Sequence, residues 1–565
     1  KYLLVGTAVG LFGYFAIKNV YVKRKWRLKA EAKLAKKLSY VPKLDEVPEE
    51  LTHYIISLTA TELSAAIKAG KCSCRQAVTV YIKRTFEIGR SLQLTAEENF
   101  EEAFELADKL DLKLKETPEQ CGRLFGVPFS VKDQINQKGK TSSCGVTYKL
   151  DIVAPFDANL IRVLLKEDAI PIVRGNVCQG VMWVESDNNI YGRSMNPWDH
   201  SRIVGGSSGG DAALVAARNV PFAIGTDIGG SVRTPAFFCG ITAFKPTPER
   251  VSLKGITNPH PIVSLFLIKS VAGPMARSVN DLKVITEAWF KPEMWVGDIA
   301  VWNLRYNQSL YDSTYGNPKL KIGYFTDNGI MTPTPAIIRA VNETIAKLKG
   351  LGHEVVEVAL PDYSYANNLY MRLMMTTGPS FYRDVLQGER YKWFNWLFDL
   401  AATLPSLTVF LLKCVGLKQE AVACDFETYI SVRKLTKLWR ELMAYKRTLV
   451  DYFEAQGLDI VVSPPFGYTA PLHEGSGTFV NPLSYASVWN TAGFPGGVVP
   501  VTNVRESEAY YDADPSFILR SHVDHQMKGS AGMPVGVHVA GLPGQDEKVL
   551  AVMKIIEEHA GFTYL

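Results

Sequence analysis

Short apolar runs ending in small or turn-forming residues recur along this 565-residue chain, with helical segments between them. Gly126-Val-Pro-Phe-Ser-Val131 ends at Lys132, Ile170–Arg174 is a second such run, and Phe222-Ala-Ile-Gly225 leads into a glycine-rich turn. Leu458–Ser463, Val498–Val501 and Val535–Val539 repeat the theme, and Glu354–Val358 alternates apolar and polar as a strand does. Between them, Thr59-Ala-Thr-Glu62 is a capping box, Ser73–Gln76 opens a second helix, and Asp211–Arg218 and Thr334–Leu348 read as further helices. Strands alternating with helices over some five hundred residues predict an α/β fold. No internal repeat is evident, and the polar stretch Arg505–Ser530 reads as an exposed insertion.

The composition is globular, with 47% hydrophobic and 21% charged residues. The net charge of +5 is unevenly spread: residues 1–37 hold ten Lys or Arg and one Glu, which leaves the rest of the chain acidic. A nucleic-acid partner is therefore not expected, because the basic surface would have to lie on the folded body. Eight scattered cysteines without a Cys-x-x-Cys pair point to free thiols in a reducing compartment.

Tyr2–Ile17 is an uninterrupted run of apolar and small residues, near the minimum for a membrane span, followed by Lys23-Arg-Lys-Trp-Arg27. Positive charge on its C-terminal side places that side in the cytoplasm. The expected organisation is a transmembrane anchor over 1–22, a basic juxtamembrane helix and linker over 23–50, and a catalytic body over 51–565 facing the cytosol. Gly6 and Gly10 have the spacing that lets two helices approach closely, so a homodimer stays open as an expectation.

Three residues within about a hundred positions carry chemistry: Lys132, Ser207 in Gly205-Gly-Ser-Ser-Gly-Gly210, and Ser231 in Gly225-Thr-Asp-Ile-Gly-Gly-Ser231. A serine needs a base to become a nucleophile. A lysine serves as one only when neutral, and desolvation by the apolar run before Lys132 would make it so. Ser207 can pass a proton between Lys132 and Ser231. Ile228-Gly229-Gly230 before Ser231 can turn consecutive N–H groups toward a tetrahedral oxyanion. Gly205–Gly209 also matches the Gly-x-Ser-x-Gly elbow formally, which would make Ser207 the nucleophile, but no histidine stands in an obvious catalytic context. The glycine-rich loop lacks the Walker lysine. The His and Cys spacings give no metal signature.

With these motifs, Asn196-Pro197, Phe238-Cys-Gly-Ile241, Lys245-Pro-Thr247, Asn490–Pro495 and Gly532–Val537, the chain resembles the amidase signature family over nearly all of residues 51–565. That resemblance implies a single large mixed sheet surrounded by helices. It also implies Lys132 as base, Ser207 as bridging serine, Ser231 as acylated nucleophile, and the N–H groups of Ile228, Gly229, Gly230 and Ser231 as oxyanion donors. No metal or organic cofactor is needed. One departure is visible: Asp211 stands where the family usually has Glu. Within the family, an N-terminal anchor is similar to that of the hydrolases of fatty acid amides. By that similarity Val181 lines the substrate channel, with Met182 and Val184 nearby. By the same similarity Trp393–Phe398 and Leu404–Leu412 form an apolar cap that dips into the bilayer, and the substrate is a lipid amide. A general amidase of small or peptidic amides, or a transamidating subunit, are the other readings.

Overall fold

The computed structural model describes residues 2–259, 267–374, 376, 384–390, 392, 404–414, 430–478, 480–512 and 519–565, with the backbone alone for residues 2–19, 405 and 478. Thirteen strands occur among them: β1 (Thr95–Glu98), β2 (Pro128–Lys132), β3 (Ile170–Gly175), β4 (Asp187–Asn188), β5 (Gly192–Arg193), β6 (Phe222–Asp227), β7 (Thr242–Lys245), β8 (Val271–Ala276), β9 (Lys321–Tyr324), β10 (Glu354–Glu357), β11 (Ile460–Ser463), β12 (Gly496–Asn503) and β13 (Pro534–Ala540). Eleven form one sheet in the order β1-β3-β2-β6-β8-β7-β12-β13-β11-β9-β10, and β4 pairs with β5 alone. The sheet is mixed. Its β3-β2-β6 and β11-β9-β10 groups are parallel, and the strands between them run antiparallel.

The central strands are buried along their whole length, β2, β6, β8 and β13 without a single exposed position. Strands covered on both faces need continuous apolar character, and helices supply the cover. Helix Gly209–Ala216 lies so close to β3 that a Cβ on Gly175 would stand 2.2 Å from Asp211 Cγ. Both expected helix starts are present, with reciprocal capping at Thr59/Glu62 and Ser73/Gln76.

A single helix, Tyr2–Ser39, runs through the expected boundary between anchor and basic segment. Its C-terminal half is tied to the body by Lys29 to Asp151, by Lys33 to Glu97 and by Lys37 Nζ to the carbonyl oxygen of Thr95 at 2.5 Å. Among the described residues no helix is long and apolar enough to cross a membrane. The side chains of residues 2–19, on which the expected 1–22 span rests, lie outside them. Trp393–Phe398 lies outside them as well. Leu404–Leu412 is described: helix Pro405–Cys414 leaves Leu407, Phe410 and Leu411 50–62% exposed. Of the stretch 505–530, the described residues 505–512 and 519–530 are less exposed than their composition suggests. Glu508 pairs with Arg339, and Tyr511, Val523 and Met527 are buried.

Candidate active site

Strands β2 and β6 run parallel side by side, which brings Lys132, at the end of β2, beside Thr226 near the end of β6. Lys132 is fully buried, and its Nζ stands 2.8 Å from Ser207 Oγ. It donates to Thr226 Oγ1 at 2.8 Å and more loosely to the Thr226 carbonyl at 3.4 Å. Thr226 Oγ1 in turn donates its only proton to Gln134 Oε1 at 2.7 Å. That assignment fixes the direction of the network. With its hydroxyl proton on Gln134, Thr226 can only accept from Lys132. In the uncharged amine two N–H bonds then face Thr226, and the lone pair faces Ser207.

Burial lowers the Lys132 pKa to about 8, while neighbouring thiols and the carboxylate of Asp211 pull the other way. Asp211 is buried too, accepts from Ser130 Oγ at 2.7 Å, and is pushed up to about 7 by desolvation. A glutamate here would be one methylene longer in a space where Asp211 Cγ already stands 2.2 Å from the position a Cβ on Gly175 would take. Asp211 therefore bears on the charge of Lys132 as well as on helix packing.

Ser207 and Ser231 open on one cavity of about 150 Å³, shared with Gln134, Thr226, Ile228 and Val181. The two loops are registered by the Ser208 N–H, which donates to the Ser231 carbonyl at 3.2 Å. On the other side of Ser231 a narrower cleft of about 60 Å³ is walled by apolar side chains, among them Met182, Val184, Met371, Met374 and Leu483.

The turn before Ser231 is clamped by Asp227. Its carboxylate accepts from the N–H groups of Gly230 at 2.8 Å and Val232 at 3.2 Å, from Asn490 Nδ2 at 2.9 Å, and from the Arg233 guanidinium. Arg233 holds the carboxyl well below the usual carboxylate range even though burial opposes it. Of the four amides expected to face an oxyanion, Gly230's is therefore already donated. Those of Ile228, Gly229 and Ser231 have no partner among the described residues. Gly229 is held under Tyr370: a Cβ there would stand 2.0 Å from the phenol oxygen.

Val181 lines both clefts and has a φ of 54°, a left-handed conformation that strains a β-branched residue. Among the described residues the histidines stay outside the site. His538 is buried with its Nε2 facing Arg233 Nη1 at 3.0 Å, and Ser207 makes no histidine contact among the described residues. Thr226, Gln134, Asp227 and Tyr370 are the site residues that the motif reading passed over.

Fold and site together define an acyl-transfer enzyme of the α/β class. The amidase family model matches residues 76–550, and the chain belongs to that family; it is an amidase, which hydrolyses amide bonds. It is 31% identical to fatty-acid amide hydrolase 1 of Sus scrofa over 531 residues, covering 90% of this chain and 87% of that protein. It is 28% identical to the acetamidase of Emericella nidulans, covering 92% of each. Among solved structures, a fatty acid amide hydrolase superposes with a TM-score of 0.79 at 24% identity, covering 96% of this chain and 95% of that one, which establishes likeness of fold.

Proposed function

We propose that this amidase is a membrane-bound serine hydrolase that cleaves fatty acid amides, N-acylethanolamines and primary fatty amides, to free acid and amine. Ser231 Oγ attacks the carbonyl carbon. Its proton passes to Ser207, and the Ser207 proton passes to the neutral Lys132 amine. The tetrahedral oxyanion is met by the free amides of the 228–231 turn. When the C–N bond breaks, the proton returns through Ser207 to the leaving nitrogen, and an ester on Ser231 remains. Water then attacks the ester carbon and gives a proton to the relay, the bond from that carbon to Ser231 Oγ breaks, the relay returns the proton to Ser231 Oγ, and the acid leaves.

The observation that carries the substrate class is the apolar cleft beside Ser231, walled by Met182, Met371, Met374 and Leu483. Unbranched methionines give way to an alkyl chain at low cost. The similarity to a fatty-acid amide hydrolase over most of both chains supports the same reading. So do the apolar N-terminal run with its basic flank and the exposed face of helix Pro405–Cys414. A substrate that partitions into lipid is reached most directly by an enzyme docked on the bilayer, with its catalytic body on the cytoplasmic side.

A general amidase of small amides is the second reading. The narrowness of both clefts and the similarity to an acetamidase favour it. Turnover of primary amides with two, eight and eighteen acyl carbons by the full chain with lipid vesicles separates the two. The fatty-amide reading expects kcat/KM to climb with chain length. Equal or better turnover of the two-carbon amide selects the small-amide reading.

A further inference from the structure

A cavity of about 500 Å³ shares no lining residue with the clefts at Ser231, although Asn490, which donates to Asp227, forms part of its wall. Its volume falls within the range of roughly 300–1,000 Å³ typical of small-molecule sites. Helix Val432–Gln456 forms one wall, and the segments after β7, before β8 and before β12, with Trp302 and Pro543, form the others. Much of the surface is apolar, with Leu267, Trp302, Trp439 and Leu442 facing inward.

The charges are not balanced. Lys269 is paired with Glu249, and Arg447 stands one helical turn from Asp451. Lys446 is left over. It reaches across to Gly493, where its Nζ lies 3.6 Å from the position a Cβ would take. It makes no hydrogen bond or ion pair among the described residues. Burial, with Lys269 nearby, lowers its pKa, and the Glu249 carboxylate, itself paired with Lys269, opposes this only in part. An ammonium held in an apolar recess without an acceptor is costly, and an anion placed against it relieves that cost.

We propose that this cavity binds a monoanionic amphiphile, with a carboxylate head on Lys446 and an alkyl body between Trp302 and Trp439. The proposal is independent of what Ser231 hydrolyses.

Dodecanoate and dodecanol, both titrated below self-association into the full chain, test it by calorimetry and tryptophan fluorescence. Dodecanoate is expected to bind about tenfold or more tightly than the alcohol, the worth of one charge-assisted hydrogen bond. Trp302→Phe and Trp439→Phe should each reduce the fluorescence change, because the active-site clefts contain neither residue. Lys446→Met should bring the two probes within about twofold of each other, and Lys446→Gln, a polar control for folding, should do the same. Equal affinities in the unaltered protein overturn the proposal. So does a carboxylate preference that survives both Lys446 variants, or a fluorescence change left undiminished by loss of both tryptophans, since Trp183 at the Ser231 cleft accounts only for a residual signal.

Discussion

Asp227 and Arg233 face each other across the turn that carries Ser231, Oδ2 to Nε at 3.0 Å, and both are buried. The pair sets the curvature of the turn, since the same carboxylate also takes the N–H of Gly230. Asp227→Asn leaves the guanidinium without a counter-charge and reverses one amide contact. A loss of about 3–5 kcal/mol in urea unfolding is expected. The depressed pKa fixes the sign in acid. The contribution is complete above the ordinary carboxylate pKa of about 3.9 and is withdrawn only as pH falls from there toward the lower folded value. Below about pH 4 the unaltered protein should therefore lose stability as pH falls toward the folded value, and Asp227→Asn, which does not titrate, should flatten that part of the profile.

The lysine predicts the shape of the activity profile. Only the neutral amine can accept a proton, and with a pKa of about 8 roughly a tenth of Lys132 is neutral at pH 7. For the unaltered protein kcat/KM should rise about tenfold per pH unit below 8 and level off above it. Lys132→Ala should cost about 10²–10⁴-fold at neutral pH and less at high pH. Equal loss at every pH would remove the base from Lys132. Thr226→Val deletes an acceptor that favours the charged amine, so the midpoint should move to lower pH while the plateau falls.

The reach of the motifs explains what was legible in the sequence. Lys132, Ser207 and Ser231 stand among glycines and short apolar runs, and β2, β3, β6, β11 and β13 were readable because strands covered on both faces must be continuously apolar. Strand β8 was not, because Val271-Ala-Gly-Pro-Met-Ala276 carries Gly and Pro in mid-strand, and β9 is four residues of mixed polarity. Thr226 and Gln134 each lie within five residues of a motif serine or lysine, yet their role depends on two parallel strands ending level, which local sequence does not encode. Asp227 and Arg233 left a usable sign: an acid and a base flanking a glycine turn whose surroundings are apolar. Tyr370, Met371 and Met374 come from a helix more than a hundred residues away and left none. The Tyr2–Ser39 helix crosses a boundary inferred from composition, because charge does not interrupt helical backbone bonding.

Gly229 tests the row of amides directly. An alanine there would bring its Cβ within 2.0 Å of the Tyr370 hydroxyl, so the phenol or the turn has to move. If the turn moves, an oxyanion donor is misplaced, and Gly229→Ala should lower kcat by about 10²-fold with little change in KM. Adding Tyr370→Phe removes the nearest atom and should restore part of the loss. An alanine variant with full activity would mean that the Gly229 amide does not meet the oxyanion.

The exposed face of helix Pro405–Cys414 bears on the membrane reading separately from the chemistry. Leu407, Phe410 and Leu411 are 50%, 62% and 53% exposed, and residues spaced three and four apart share one side of a helix. Burying such a side chain completely is worth about 1.5–3 kcal/mol. Covering the exposed half of all three in a bilayer would contribute about 3–4 kcal/mol, enough to shift vesicle binding by roughly 10²-fold or more. Replacing the three with serine should weaken co-sedimentation with vesicles accordingly and raise the KM for an eighteen-carbon amide presented in lipid. Turnover of a short, water-soluble amide should stay as it was, because none of the three residues lines the clefts at Ser231. If the triple variant still sediments fully with vesicles, attachment runs through another part of the chain, and the Tyr2–Ser39 helix becomes the segment to alter.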